Sequence, residues 1–205
     1  KADIVMEDDH GGIRGFTLEK DVNMSYVVLA FKTSGLSDPR ENAVMDAVST
    51  MLGEGRSSRL YKRIVEKEQI ANSVSAFIHP MRHAGIIAVT GTMDRENVPR
   101  FRDAVLDEIA KLGKEPTSGE ELAKSKSMLK ADFAFGNETD SDIAGTLGYY
   151  NISGMLERVS SYERTIDSVT PDEVMMFSKK VLTPDSYTMG IINQRIPLDR
   201  EVQGE

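Results

Sequence analysis

Of the residues able to hold a metal or move a proton near neutral pH, the three histidines come first. Two of them, His79 and His83, stand four apart in the run His79-Pro80-Met81-Arg82-His83. On a helix that spacing would put both rings on one side, as a zinc ion requires of paired ligands. Pro80 and the strand-like segments on either side place the run in a turn instead. The inverted zinc signature H-x-x-E-H carries a glutamate before its second histidine as general base. Here that position is Arg82, a cation that would repel a metal ion. The run therefore predicts an exposed hairpin without a metal. His10 sits in a polar, acidic stretch, and no pattern around it suggests chemistry.

Other chemistries fare no better. The chain has no cysteine, which excludes a disulfide framework, a thiolate zinc site, an iron–sulfur cluster and a cysteine nucleophile. A serine nucleophile would need one of the histidines as base, and no G-x-S-x-G elbow occurs. Gly53-Glu54-Gly55-Arg56-Ser57-Ser58 resembles a phosphate loop only loosely. It follows a helical pattern rather than a strand and lacks the Gly-Lys-Ser/Thr ending, so it reads as a cap between two helices. The 11 methionines fall mostly on helical stripes and read as core filling. On residue chemistry alone, the chain has no self-sufficient active site.

The chain has 205 residues, 40% of them hydrophobic and 28% charged, with a formal net charge of −8. These are the proportions of a soluble globular protein, fitting a bacterial cytoplasm or periplasm. The acidic balance argues against a nucleic-acid binder, and no basic run with interleaved aromatics occurs. No apolar stretch approaches the roughly 20 residues of a membrane span. The sequence opens on Lys1 rather than methionine, which suggests a piece of something longer.

The elements that would position any site are legible along the chain. Residues 1–12 read as a polar linker or tail, with Glu7-Asp8-Asp9 and Gly11-Gly12, and residues 194–205 as a polar tail; residues 13–193 form one body. Strands are expected at Ile13–Leu18, Tyr26–Phe31, Ala71–Ile78, Gly85–Thr92 and Tyr187–Ile192. The second of these, an unbroken apolar run, suits a buried strand. Asp38-Pro39-Arg40-Glu41 predicts a helix start with Asp38 as cap and Glu41 closing a capping box. Ala43, Val44, Ala47, Val48, Met51 and Leu52 give that helix its core face, and Gly53-Glu54-Gly55 ends it. A second helix is expected over 57–67. A third begins at Asp94 with the stripe Val98, Phe101, Val105, Ile109 and Leu112. Thr117 and Ser118 before Glu120 and Glu121 predict a capped helix reaching Phe135. Further helices are expected over 140–152 and 156–169, and Thr170-Pro171-Asp172-Glu173 caps a last one running to Leu182. Strands at both ends with helices between them predict an α+β fold: an antiparallel-rich mixed sheet of five or six strands with helices on one face, the other face free to meet another domain.

The ordered segments carry a resemblance. Met51-Leu52-Gly53-Glu54-Gly55-Arg56-Ser57-Ser58-Arg59-Leu60-Tyr61, then Glu66-Lys67, then Ile70-Ala71-Asn72-Ser73-Val74-Ser75-Ala76 resemble the second, non-zinc domain of the pitrilysin/insulinase-type zinc peptidases, the group that includes mitochondrial processing peptidase. The strand Gly85–Thr92, the helix start Glu120-Glu121-Leu122-Ala123-Lys124-Ser125-Lys126 and the segment Asp167–Val174 extend the likeness over about residues 13–193. Each piece is weak by itself; their common order and spacing are specific.

This resemblance implies the LuxS/processing-peptidase-like metallohydrolase fold. It implies a parent built from two similar α+β domains, paired with a second such half into a closing chamber around peptide substrates. Zinc would belong to an upstream domain carrying H-x-x-E-H, and this chain would hold none. The partners implied are that upstream homologous domain, a second peptidase-family half or subunit, and a peptide. In the family's non-metal halves, this domain supplies an arginine and a tyrosine seven residues apart, which bind substrate and stabilise the developing oxyanion. The matching positions here are Val65 and Asn72. Valine cannot donate a hydrogen bond, asparagine has a shorter reach, and Arg63 points elsewhere on a helix. Either this domain belongs to the metal-bearing half and a partner supplies the pair, or it is a scaffold related to the core subunits of respiratory complexes. Asn72, Gly53 and Gly55 are the candidate substrate-binding positions, the two glycines because the family's mitochondrial enzyme guides substrate with an expanded glycine-rich loop there. The acidic balance would weakly favour basic peptides.

Overall fold

The computed structural model describes residues 11–36 and 38–195. The acidic run at Glu7–Asp9, His10 and the tail from residue 196 onward lie outside them.

Five strands build one mixed sheet: β1 (Arg14–Lys20), β2 (Ser25–Ser34), β3 (Ser73–Pro80), β4 (Ala84–Met93) and β5 (Thr188–Gln194). Their spatial order is β1-β5-β2-β4-β3. Only β1 and β5 run parallel; the other pairs are antiparallel. The mixed, antiparallel-rich sheet expected from the sequence is what the chain forms. His79 and Pro80 end β3, opposite Ile86 and Gly85, so the turn shrinks to residues 81–83. Proline is tolerated there because β3 is an edge strand, whose outer N–H groups have no ladder partner to lose.

Helices cover one face. Against the sheet lie α1 (Pro39–Gly53), α2 (Val98–Leu112) and α6 (Pro171–Val181); α3 (Gly119–Phe135) and α5 (Glu157–Ser168) pack over α1, and α4 (Asp140–Ile152) rests on α5. The segment expected as a second helix becomes a π-helical stretch, Tyr61–Lys67, in which the Glu68 N–H donates to the Arg63 carbonyl five residues back. Gln69, at φ +51°, then turns the chain toward β3.

Helix α1 is the hub, buried from Asn42 through Gly53. Its alanines, Ala43 and Ala47, let neighbours approach closely, and Ser125 Oγ of α3 donates to the Ala47 carbonyl at 3.2 Å. The sheet answers with Val27, Leu29 and Phe31 of β2 and Ile87 and Val89 of β4. The stripe Val98, Phe101, Val105, Ile109 and Leu112 is buried along its whole length.

The caps explain where the helices begin. The Asp38 side chain accepts from the N–H groups of Arg40 and Glu41, but Glu41 does not close the box. Its carboxylate accepts from Ser34 Oγ at 2.5 Å and lies 3.4 Å from Lys180 Nζ. Ser118 likewise caps α3, while Glu121 turns away to Arg59, both of its oxygens 2.6 Å from guanidinium nitrogens. A bidentate guanidinium offers a carboxylate more than a lone backbone N–H, so tertiary contacts override these local motifs. At α6 the box does form: Thr170 and Glu173 exchange both bonds, and Glu173 also receives Arg40 from α1.

A charged cluster is sealed between α1 and α5. Asp46 of α1 accepts from Arg158 at 3.2 Å and from the Tyr162 hydroxyl at 3.4 Å. Burial pushes its carboxyl up to about 6, against the pull of Arg158. The folded state therefore keeps this proton where the unfolded chain has lost it. The associated stability is whole below about pH 4 and is lost as pH rises through about 6. Replacing Asp46 by asparagine should remove this dependence. Denaturant titrations should show the unfolding free energy of the wild type falling by roughly 2–3 kcal/mol relative to Asp46→Asn between pH 4 and 8. A difference that stays flat with pH would contradict a sealed carboxyl.

Candidate functional site

Among the described residues, nothing packs on the face of the sheet turned away from the helices. Strand alternation places Tyr26, Val28, Ala30 and Lys32 of β2 on it, while Val27, Leu29 and Phe31 point into the core. The register aligns neighbours in rows. One row crosses the sheet as Leu18, Ile192, Tyr26, Thr92 and Ser73, and the next as Phe16, Gly190, Val28, Thr90 and Ser75. The apolar run of β2 was expected to be buried. Tyr26 is instead 48% exposed, because among the described residues nothing covers this face.

These rows enclose a shallow groove of about 300 Å³. Phe16, Tyr26, Val28 and Ile192 make its apolar bank. The Phe16 ring sits over Gly190, where an added Cβ would come within 2.8 Å of it. Serines and threonines form the opposite bank. Ser73 and Thr92 share a hydrogen bond of 2.7 Å, and Ser75 and Thr90 one of 3.0 Å. Such a surface can accept an apolar side chain on one bank and offer hydroxyls to a backbone or polar group on the other.

The candidate residues divide around the sheet. Asn72 lies exposed just before β3; its N–H donates to the Thr92 carbonyl at 2.8 Å and its side-chain amide lies 3.2 Å from Met24 Sδ. It precedes Ser73, which lines the groove. Gly53 and Gly55 lie at the end of α1. Gly53 is buried so tightly against β3 that an added Cβ would sit 2.0 Å from the Ala76 nitrogen. Gly55 is exposed at φ +70°, and an added Cβ would meet only Met128 Cε at 4.0 Å. Val65 packs against the core. Arg63 is engaged on the helix side by Glu68 at 2.7 Å, Glu108 at 2.8 Å and Asp107. Burial pulls its pKa down, but together these carboxylates outweigh that and raise it, and Arg63 holds the Asp107 carboxyl below its ordinary value.

Among the described residues, no group of three or more His, Cys, Asp and Glu side chains could together hold a metal ion, and no helix is long and apolar enough to cross a membrane. His79 lies at the end of the edge strand and His83 in the following turn. Sequence reasoning did not identify Phe16, Gly190 and the serine–threonine bank as one surface. The available signal was the alternation of outward apolar residues in β1, β2 and β5.

Two substitutions test the backbone at the end of α1. Gly53→Ala should destabilise by about 3 kcal/mol, since β3 cannot withdraw from the new methyl. Gly55→Ala should cost about 1 kcal/mol from the left-handed φ alone. Thermal melts of both would check the ranking.

Comparisons with known proteins agree with this geometry. The zinc protease PqqE of Helicobacter pylori is 28% identical over 162 residues, covering 77% of this chain and 36% of that protein. The chain thus spans just over a third of that relative. A protease from Helicobacter pylori has the same fold, with a TM-score of 0.86 at 22% identity over 94% of this chain and 47% of its own. A peptidase M16 inactive domain from Pseudomonas fluorescens follows with a TM-score of 0.81 at 20% identity, covering 93% of this chain and 46% of its own. The family description Peptidase M16 inactive domain matches residues 3–129, and this chain belongs to that family.

Proposed function

We propose that residues 13–193 form a noncatalytic domain of a zinc endopeptidase. The domain supplies wall and interface to a chamber that encloses peptide substrates, while zinc and H-x-x-E-H belong to an upstream homologous domain of the parent chain. The observation that carries this reading is the sheet with one face sealed by helices and the other left apolar and grooved. A face of that kind calls for a covering partner or a peptide. The chain's own contribution would be to bind and orient. Asn72 and the serine–threonine bank would donate hydrogen bonds to an extended peptide, and the Phe16–Tyr26 bank would take its apolar side chains. Gly55 is the point where a peptide could reach the loop after α1, and Gly53 would act indirectly by holding that loop against β3. The surplus of carboxylates would draw in basic peptides, weakly at physiological salt. The compartment proposed is a bacterial cytoplasm or periplasm.

A second reading, a scaffold without peptidase activity, is favoured by one specific observation. On the resemblance of residues 51–76 to the family, Val65 and Asn72 would match the positions of an arginine and a tyrosine in its non-metal halves. The enzyme reading answers that a second peptidase-family half supplies that pair.

The test uses the parent polypeptide, purified with its partner, and unfolded basic peptides. Stoichiometric zinc with cleavage supports the enzyme; neither supports the scaffold. Within an active parent, Val65→Arg with Asn72→Tyr should change kcat less than about threefold, because the partner already supplies those donors. A rise of about a hundredfold would mean that this domain itself faces the scissile bond.

A further inference from the structure

The helix side carries a charged basin of about 430 Å³ between the π-helical stretch Tyr61–Lys67 and α2. Its cations are Arg59, Lys62, Arg63, Lys67 and Lys111, and its carboxylates are Glu68 and Glu108. Five positive groups thus face two negative ones, on a chain whose formal net charge is −8. The volume is that of a small-ligand pocket.

The carboxylates in and beside the basin are already engaged. Arg63 holds Glu68 at 2.7 Å, Glu108 at 2.8 Å and Asp107, and Lys111 holds the same Asp107 and Glu108 at 3.0 and 2.8 Å. Glu121 takes Nε and Nη2 of Arg59, each at 2.6 Å. These bonds use Nε and Nη1 of Arg63. They leave Nη2 of Arg63 and Nη1 of Arg59 without an acceptor among the described residues. Lys62 and Lys67 are exposed, and neither ammonium has a partner among the described residues.

The π-helical pitch brings these two lysines together. In such a helix an N–H meets the carbonyl five residues back, so residues five apart stand one turn above the other. On an α-helix the pair would be turned about 140° apart. The ion pairs of Arg63 pin the stretch to α2, which holds both lysines over the same basin.

We propose that this basin binds a phosphate group, with Lys62 and Lys67 as its clamp and the spare guanidinium nitrogens of Arg59 and Arg63 as its floor. Ammonium point charges and a planar guanidinium both suit phosphate oxygens. None of the lining residues is aromatic, so a nucleobase would find no ring to stack on, and the ligand is a phosphate or diphosphate recognised by charge. Binding would brace the segment that turns at Gln69 into β3. The site is independent of the peptide reading above, because the groove lies on the other face of the sheet.

The experiment titrates the 205-residue chain with pyrophosphate by calorimetry, at constant ionic strength set with chloride. One site per chain with a Kd below about 1 mM is expected. Lys62→Gln and Lys67→Gln should each weaken binding about fivefold, and the double variant should abolish it. All are exposed positions, and melts without ligand check that the variants fold. Lys20→Gln with Lys32→Gln, on the sheet, should bind like the wild type. Vesicles of phosphatidylcholine with phosphatidic acid separate the two sources of a phosphate group. Pyrophosphate heat alone assigns a free phosphate, and vesicle binding that is lost in the double variant assigns a lipid headgroup. Neither signal, several weak sites per chain, or an equal loss in the Lys20 and Lys32 variant would overturn the site. Hexaglutamate binding as tightly as pyrophosphate would overturn the choice of phosphate.

Discussion

The close approach of α1 to the sheet is the constraint on which the rest depends. At Gly53 the helix end comes so near Ala76 that no side chain fits between them. Helix α1 also carries the small buried residues Ala43 and Ala47. Because α1 is also buried by α3, α5 and α6, it acts as the floor of a second helix layer. One face of the sheet is thereby committed to helices. Its other face remains open among the described residues, with Phe16, Leu18, Tyr26 and Phe77 exposed on it.

That asymmetry shapes the electrostatics as well. Charged groups that enter the helix layers must find partners. Asp46 with Arg158 and Tyr162, Arg40 with Glu173, and Arg59 with Glu121 each tie α1 or its following loop to a later helix. The outer face has few such ties. Beside the groove its polar groups include two hydroxyl pairs, Ser73 with Thr92 and Ser75 with Thr90. A neutral, hydroxyl-edged apolar groove loses little when water leaves it, which is the physical requirement for an interface or a peptide wall.

Membership of the Peptidase M16 inactive domain family fits a chain whose titratable groups are used for structure. Among the described residues, His79 ends a strand and His83 lies in a turn, Asp38 caps a helix, and Glu121 and Glu173 pair with arginines.

What the sequence by itself determined was local and periodic. The stripes of α1 and α2, the cap at Asp38, the box at Thr170 and Glu173, the limits of α4 and the positions of all five strands follow from spacing and propensity, which neighbouring residues set. The family's ordered segments were also legible, since they are strings of adjacent residues. Tertiary structure decided the rest. Glu41 and Glu121 have the spacing of capping boxes, yet partners distant in sequence hold them. Residues 61–67 took a π-helical pitch before the turn into β3. Above all, an apolar strand residue looks the same in sequence whether a helix layer covers it or nothing does. Whether Tyr26 and Phe16 belong to a core or to an open groove depends on which side of the sheet the helices take, and that is a property of the assembled chain.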